Sequence, residues 1–281
     1  MKRTTHFRHL QIANDTLYYI YTHIDAPLDI EEMAKQAGVS RYHLQRIFKA
    51  IFGKNIYETI KSIRLEKAAN LLIVNATSTI TQIANACGYS SQSTFIGAFK
   101  ERFGMTPTQW RKGGYKEFAA KLLEYDVHRF EALDFSIVTL PKQRAYYIRH
   151  RGYDESIKED WMKLRLFAAS SGLKNYKEIA LYHDNPAIKP LHECAYVACL
   201  ATKEKAKEQK LPSFYIADGS YAKFSIKGES PLDLELLHYI FHYWIPQKGF
   251  ETTPKPPFAI YHKNHYLGEP LELSLFVSIT F

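Results

Sequence analysis

Short polar residues stand together at the start of one predicted helix. Residues 90–94 read Ser-Ser-Gln-Ser-Thr, and Phe95, Phe99 and Phe103 follow at the spacing of a buried helix face. Hydroxyl and amide groups at a helix start can bond base edges or phosphates of a nucleic acid, and short side chains allow a close approach. They can equally be ordinary helix caps. The stretch alone leaves both interpretations open.

An earlier stretch, residues 30–53, repeats this pattern with one residue fewer. In each copy a short amphipathic helix precedes a glycine, Gly38 or Gly88, whose freedom at positive φ ends a helix without steric cost. A serine, Ser40 or Ser90, is then predicted to cap a second helix. This order predicts a helix-turn-helix, whose second helix enters the major groove of DNA. Two copies favour DNA reading over simple capping.

The second helix of each copy carries the candidate DNA contacts. Charge supports this assignment, because residues 1–112 hold 15 Lys and Arg against 8 Asp and Glu, which is nearly all of the net charge of +8. A solubilising basic face is the alternative. The predicted contacts are Ser40, Arg41, Tyr42, Gln45, Arg46, Lys49, Ser91, Gln92, Ser93, Thr94 and Lys100.

Composition argues against several other classes of protein. A length of 281 residues fits two domains of ordinary size. The three cysteines show no C-x-x-C spacing, so we expect reduced thiols in a cytosolic protein. No apolar run reaches the ~20 residues that a membrane helix needs, and the basic first residues lead into no apolar signal segment. We therefore expect a cytoplasmic protein with no membrane partner and no cofactor.

Four motifs make the first part of the chain recognisable. They are S-x-x-H-L-x-R-x-F (residues 40–48), R-x-x-x-A-x-x-L-L (64–72), I-x-x-I-A-x-x-x-G-Y-x-S (80–91) and F-K-x-x-F-G-x-T-P-x-x-W-R (99–111). Together they resemble the AraC/XylS family of transcription regulators over residues 8–112. The resemblance implies an all-α DNA-binding domain with two helix-turn-helix motifs.

The same resemblance assigns base readers to each motif. They are Tyr42, Gln45 and Arg46 in the first helix-turn-helix, and Gln92, Ser93 and Thr94 in the second. One residue departs from the family pattern: Gly97 stands where many relatives carry an arginine. The second motif is therefore expected to read fewer bases.

A change in amino-acid composition marks the end of the first part of the chain. Gly113 and Gly114 follow it, so we predict a DNA-binding domain over residues 1–112 and a linker over 113–120. Residues 121–281 alternate β-branched and aromatic runs with helical segments, in the order strand-helix-strand-strand, twice. This predicts an α+β domain made of a duplicated unit, with two sheets or half-sheets facing one another.

This second part resembles the GyrI-like small-molecule-binding domain. The matching features are P-K-Q-R-A-Y-Y-I-R-H-R-G-Y-D (residues 141–154), W-x-x-L-x-x-F-A (161–168) and Tyr-Trp-Ile-Pro before Gly249. The resemblance implies a cleft between the repeats that is lined by aromatic residues around a buried glutamate. Such clefts bind hydrophobic, often cationic compounds.

The cleft glutamate of relatives is absent at its usual place, where Ala259 stands two residues before Tyr261. Glu193, Glu235 and Glu272 are the candidates to replace it. We therefore expect a neutral or weakly polar aromatic effector. Aromatic residues on strands and helices are more often core than ligand contacts. The candidate cleft residues are Tyr147, Trp161, Tyr182, Tyr196, Tyr221, Trp244, Tyr261 and Phe276.

The leading interpretation is a sequence-specific DNA-binding transcription regulator without catalytic residues, whose second domain binds a small effector. Its expected partners are double-stranded DNA and that effector. Two alternatives stay open: the second domain contacts RNA polymerase or another protein without a ligand, or it is a hydrolase, as some GyrI-like domains are. His183-Asp184 and the pair His262 and His265 suggest a metal, with His183 and His262 at equivalent strand ends of the two repeats. No third ligand stands at a defined spacing, so no metal is predicted.

Overall fold

The computed structural model describes residues 2–119, 128–186, 188–207, 211–228 and 233–280. The chain divides into two compact units. The first contains residues 1–69 and 78–109, and the second contains residues 70–77 and 110–281. The sequence-based domain boundaries at residues 112 and 121 stay a prediction, since this division assigns a short part of the first stretch to the second unit.

The first unit is all-α, as predicted. Its helices are α1 (Lys2–Thr22), α2 (Ile30–Gln36), α3 (Arg41–Phe52), α4 (Ile56–Val74), α5 (Ile80–Ala86), α6 (Gln92–Phe103) and the short α7 (Pro107–Gln109). The last turn of α4, residues 70–74, is assigned to the second unit. The pairs α2–α3 and α5–α6 are the two expected helix-turn-helix motifs. The Phe95, Phe99 and Phe103 side chains are buried on one face of α6, which confirms their predicted role.

Serine side chains start the second helix of each motif. Ser40 caps α3 by accepting a hydrogen bond from the backbone N–H of His43 at 3.3 Å. The prediction of Ser90 as the other cap is wrong, because Ser91 accepts the N–H of Thr94 at 3.4 Å and precedes α6. The residue inserted in the second copy thus lies before the cap, and Ser91 is the counterpart of Ser40.

Gly88→Ala is expected to destabilise the first unit by about 3 kcal/mol, a loss typical of severe backbone conflicts. Gly88 has a φ of 75°, and an added Cβ would lie 2.3 Å from the carbonyl oxygen of Ile24 and 2.5 Å from Arg64 Nη2. Neither can retreat easily, since Arg64 donates to the carbonyl oxygens of Ile24 at 3.2 Å and Ala26 at 2.7 Å. Denaturation followed by helical circular dichroism measures the loss.

Gly104→Ala is the matched control for this prediction. Gly104 has a φ of 73°, but an added Cβ would meet no atom within 4 Å. The control should therefore lose only the left-handed backbone cost of roughly 1–2 kcal/mol. Equal losses in the two variants would contradict the steric explanation.

The second unit is an α+β structure. Its helices are α8 (Tyr115–Ala119), α9 (Ile157–Ser171), α10 (Asp233–Tyr239) and α11 (Ile245–Lys248), with π-helical turns at Trp110–Gly114 and Ile240–Trp244 and 3₁₀ turns at His128–Phe130, Leu191–Glu193 and His265–Leu267. Its strands are β1 (Phe135–Leu140), β2 (Gln143–Arg151), β3 (Lys177–Tyr182), β4 (Ala195–Ala201), β5 (Ser213–Ile216), β6 (Gly219–Gly228), β7 (Glu251–Thr252), β8 (Phe258–Lys263) and β9 (Leu271–Thr280).

The strands of the described residues form one antiparallel sheet. Its order is β1-β6-β9-β8-β3-β4-β2-β5, and β7 pairs with β9. The predicted duplication is present as β2-α9-β3-β4 and β6-α10-α11-β8-β9. The expectation of two facing sheets is wrong, because β3 and β8 pair directly and join the two halves edge to edge.

The two repeats meet at a pair of alanines in the middle of the sheet. Ala180 of β3 and Ala259 of β8 are direct cross-strand partners, and the segments I-A-L-Y-H and F-A-I-Y-H around them correspond in the two repeats. Tyr182 and Tyr261 each lie two residues beyond these alanines, so they point to the same face. The duplication therefore creates two equivalent tyrosines on either side of the sheet centre.

Residues 70–77 belong to the second unit through Asn75. Its buried side chain donates to the carbonyl oxygen of Thr252 at 2.9 Å and accepts the backbone N–H of Thr252 at 2.9 Å. Both backbone groups of this β7 residue are thus satisfied by one side chain. Asn75 takes the place of a neighbouring strand at this point of the sheet.

His242 is expected to make the second unit less stable in mild acid. The ring packs against His238 at 4.5 Å and Tyr115 at 5.6 Å between centroids, and its Nε2 is buried without a hydrogen-bond partner in the described structure. Burial, with smaller contributions from the charges of His238 and Lys116, lowers the pKa of His242 to about 3. The unfolded chain, with an ordinary pKa near ~6.5, therefore binds the proton first.

Stability should consequently fall as the pH drops from about 6.5 toward 3. Between pH 7 and pH 5 the loss due to His242 is about 2 kcal/mol, from ~1.4 kcal/mol per pKa unit. His242→Phe should lack this slope, and His192→Gln, at an exposed histidine, should keep it. Urea unfolding followed by tryptophan fluorescence measures the effect, since Trp110, Trp161 and Trp244 all lie in the second unit. Parallel pH curves for wild type and His242→Phe would refute the assignment.

Candidate DNA interface and candidate effector site

The first recognition helix, α3, presents an exposed polar and aromatic surface. Arg41, Tyr42, Arg46 and Lys49 are exposed, and Gln45 is half-buried. Tyr42 is 78% exposed. The predicted contacts of this helix therefore form one accessible surface.

Both arginines of this surface are hydrogen-bonded to neighbouring side chains. Arg46 donates from Nη2 to His43 Nδ1 at 3.0 Å, and Arg41 donates from Nη2 to the Tyr57 hydroxyl at 2.8 Å. Desolvation, followed by the charge of Arg46, lowers the pKa of His43. A neutral His43 can accept the hydrogen bond, which leaves the other guanidinium N–H groups of Arg46 pointing outward for a base or phosphate. The sequence did not suggest this contact between His43 and Arg46.

The second recognition helix, α6, begins with a neutral hydrogen-bonding cluster. Gln92, Ser93 and Thr94 are exposed, and Ser91 is half-buried as the cap. Gln92 Oε1 accepts from the Thr81 hydroxyl at 3.0 Å, which leaves the amide NH₂ as the outward donor. The predicted Lys100 is exposed but lies eight residues along, or ~12 Å of helix rise from Gln92. Lys100 therefore fits a phosphate contact better than a base contact.

The starts of both recognition helices favour an anion. Neither α3 nor α6 carries an acidic residue in its first turn, whereas α2 carries Glu31 and Glu32 there. A helix start without acidic residues keeps its positive end of the dipole and its exposed N–H groups available for phosphate. In the first motif this difference separates α3 from its supporting helix α2, whereas in the second motif α5, like α6, has no acidic residue in its first turn.

In the second unit, six aromatic side chains pack edge-on against one another on the helix-covered face of the sheet. Their ring centroids are 5.7–6.4 Å apart in edge-on pairs. We call this cluster the aromatic cage. Its members are Tyr153, Trp161, Tyr182, Tyr196, Tyr261 and Tyr266. Four of the predicted cleft residues are thereby brought together.

Hydrogen bonds fix the centre of the aromatic cage. The Trp161 indole N–H donates to the Tyr196 hydroxyl at 3.1 Å. The Tyr182 hydroxyl donates to Asp233 Oδ2 at 2.5 Å, and the Tyr261 hydroxyl donates to the same oxygen at 3.2 Å. The two equivalent tyrosines of the repeats therefore meet on one carboxylate.

Asp233 is the acidic group of the aromatic cage. It is 1% exposed and begins α10, where its Oδ1 accepts the N–H of Leu234 at 3.1 Å. All its contacts in the described residues are with neutral donors, and no Lys or Arg there forms an ion pair with it. A carboxylate buried with neutral partners alone is costly, because the charge stays uncompensated.

The buried phenols of the aromatic cage stay neutral. Burial, followed by the charge of Asp233, raises the pKa of Tyr182 well above its usual value. Burial likewise raises the pKa of Tyr196 and Tyr261. These hydroxyls therefore remain donors to the carboxylate at any physiological pH.

The other four predicted cleft residues lie elsewhere in the second unit. Tyr147 packs on Phe214, and Trp244 packs among Phe135, Phe224 and Phe250. Tyr221 and Phe276 pack on Phe258, on the opposite face of the sheet from the aromatic cage. For Tyr147, Tyr221 and Phe276, alternation along the strands explains this outcome, because neighbouring residues point to opposite faces. Trp244 lies instead on the π-helical turn Ile240–Trp244.

Phe276 also lines an open groove of about 750 Å³. Arg165, Glu178 and Glu269 stand at this groove, and the arginine bonds both acids, at 2.6 Å and 3.2 Å. The groove has no charge enclosed by aromatic rings. It is a less specific candidate than the aromatic cage.

The three glutamates considered as replacements for the cleft acid are not in the aromatic cage. Glu235 pairs with Arg129, Glu272 pairs with Lys227 at 2.9 Å, and Glu193 lies on a half-buried 3₁₀ turn. As for metals, the described residues contain no group of three or more His, Cys, Asp or Glu side chains that could hold an ion. His262 instead shares a hydrogen bond of 2.9 Å with the Ser274 hydroxyl.

Comparisons with known proteins agree with a chain made of a helix-turn-helix part followed by an α+β part. Residues 33–113 match a helix-turn-helix domain, and residues 133–279, more than half of the chain, match the GyrI-like small molecule binding domain. Regulatory protein SoxS of Escherichia coli (strain K12) is 36% identical over 103 residues, which are 37% of this chain and 95% of SoxS. The chain belongs to the AraC/XylS family.

Two other similar proteins each match 36% of this chain. Right origin-binding protein of Escherichia coli (strain K12) is 40% identical over 101 residues, 36% of this chain. The match covers only 35% of that protein's length. The C-terminal domain of AraT, a response regulator from Geobacillus stearothermophilus, is 34% identical over 36% of this chain and 84% of its own, with a TM-score of 0.35.

Two positions set this AraC/XylS member apart from the family pattern. Gly97 is exposed on an uninterrupted α6, and no atom lies within 4 Å of the place a Cβ would take. In the GyrI-like domain, Ala259 leaves the strand without an acid, and Asp233 supplies one from the start of α10. Among the helices that the structure describes, none has the length and apolar character to span a membrane.

Proposed function

We propose that this AraC/XylS member is a transcription regulator that reads double-stranded DNA with α3 and α6 and binds a small aromatic cation in its aromatic cage. The observation that carries the effector assignment is Asp233, a buried carboxylate whose partners in the described residues are all neutral. RNA polymerase as a further partner and a cytosolic location, both expected from the sequence, are part of this proposal.

The chemistry of the aromatic cage favours a cation over the neutral effector expected from the sequence. Ring faces carry partial negative charge and attract a cation within about 6 Å, more strongly when it is desolvated. A bound cation would also compensate the charge of Asp233, which Tyr182 and Tyr261 only stabilise by hydrogen bonds. The sequence favoured a neutral ligand because Ala259 leaves β8 without an acid. Asp233 supplies a carboxylate from the start of α10 instead.

The same groups support binding rather than catalysis. A phenol whose pKa is raised is a poor nucleophile and a poor general base at neutral pH. In the aromatic cage this applies to Tyr182, Tyr196 and Tyr261. The proposal therefore includes no reaction step.

Isothermal titration calorimetry tests the effector assignment. Naphthylmethylammonium should bind the full chain measurably, and its neutral analogue naphthylmethanol should bind at least tenfold more weakly, from roughly 1.5–3 kcal/mol for interactions with a charged group. Equal affinities would reject a cationic effector. Adding the cation to a complex with selected DNA then measures coupling, because an effector acts only when it binds DNA-competent and incompetent states with different affinity.

A further inference from the structure

A histidine, His265, adjoins the aromatic cage as a further polar group. His265 begins the 3₁₀ turn after β8, and its ring lies 4.0 Å from Tyr266 and 5.7 Å from Tyr261 between centroids. Both ring nitrogens are buried, and neither has a hydrogen-bond partner within the described part of the chain. Buried polar atoms without a partner are rare in folded proteins and require an explanation.

An unpartnered neutral imidazole offers two different hydrogen-bonding groups. One nitrogen carries a proton and donates, and the other accepts. Burial lowers the pKa of His265, and the charge of Asp233 opposes that shift only in part. The ring therefore presents an acceptor and a donor, rather than a second cation, to whatever enters beside Asp233.

Cations differ in how well they can satisfy the hydrogen-bonding groups of Asp233 and His265. Asp233 accepts from Tyr182, Tyr261 and the Leu234 N–H, and an ionised carboxylate has room for about one more donor. A quaternary ammonium supplies charge but no N–H, so the imidazole acceptor would stay unsatisfied. A protonated amine supplies charge and several N–H donors at once.

We propose that His265 is a specificity residue of the aromatic cage, and that the effector is an aromatic molecule with a protonated amine whose N–H groups bond Asp233 and His265. This inference rests on the proposed effector site. Quaternary cations are thereby excluded as the preferred class of effector.

A pair of probes with the same rings and charge tests the inference. Naphthylmethylammonium and its N,N,N-trimethyl analogue differ in their N–H donors, and both are titrated against the full chain by isothermal titration calorimetry. We expect the primary amine to bind about tenfold or more tightly to wild type. His265→Phe should reduce this ratio to near one, and His265→Gln, which keeps a donor and an acceptor, should retain part of it.

The outcomes separate the inference from the proposed function. A ratio near one in wild type, or an unchanged ratio in His265→Phe, overturns the role of His265 while cation binding itself stands. No binding of either probe overturns both. If His265→Phe fails to fold, nitrogen NMR of the imidazole decides the matter: the His265 signals should shift with the primary amine and not with the trimethyl probe, and identical shifts overturn the inference.

Discussion

Asp233→Asn is expected to weaken the binding of naphthylmethylammonium by about 30-fold or more. The substitution keeps the shape of the side chain and an oxygen that can accept from Tyr182 and Tyr261, but it removes the charge. Losing one partner of a buried ion pair costs roughly 3–5 kcal/mol, and 2 kcal/mol already corresponds to about 30-fold. Calorimetric titration of the full chain measures the change.

Two comparisons make this result specific. Naphthylmethanol carries no charge, so its affinity should be unchanged or improved in Asp233→Asn. Asp154→Asn provides the matched protein control, since Asp154 lies before α9 in the first repeat but is exposed and bonds Ser156. A similar loss of affinity for both probes, or in both variants, would mean that Asp233 acts only through folding.

Arg46→Ala is expected to reduce sequence discrimination by about 10- to 100-fold on the preferred DNA site. An arginine that bonds a base edge contributes roughly 1–3 kcal/mol against the wrong base. Arg46 is exposed, and His43 fixes one of its donors, so a flexible lysine should not replace it fully. Competition binding against single-base variants of the selected site measures the effect.

Lys49→Ala is the control for base reading. Lys49 is exposed near the end of α3, where a phosphate contact is expected. Its removal should weaken binding to all sequences alike and reduce the salt slope by about one. If Arg46→Ala behaves in this way too, Arg46 contacts the backbone and reads no base.

Local patterns predicted the first unit well, because its features depend on neighbours in sequence. Gly88 and the helical spacing of Phe95 and Phe99 each determine a turn or a buried face within a few residues. The cap was misplaced by one, from Ser91 to Ser90, since the position of the inserted residue could not be read from similarity alone. Only the hydrogen bond to Thr94 decides between two adjacent serines.

The effector site could be predicted only in part, because it depends on long-range pairing. Alternation along β3 and β8 indicates that Tyr182 and Tyr261 share a face, but it does not say which face the helices cover. Asp233 comes from a helix start far from both tyrosines in sequence. The equivalence of I-A-L-Y-H and F-A-I-Y-H was the available signal, since a duplicated pair of tyrosines suggests a shared central partner.

The central claim is that two duplicated helix-turn-helix motifs of one chain read DNA, and selection from a random oligonucleotide library tests it most directly. The full chain is used at fixed, stated salt, because phosphate contacts make affinity depend steeply on ionic strength. The account predicts one enriched sequence with two preferred blocks about one helical turn apart, ~34 Å, the second block weakened by replacing Gln92 and Ser93 with alanine. Recovery of sequences no better bound than random competitor would contradict it.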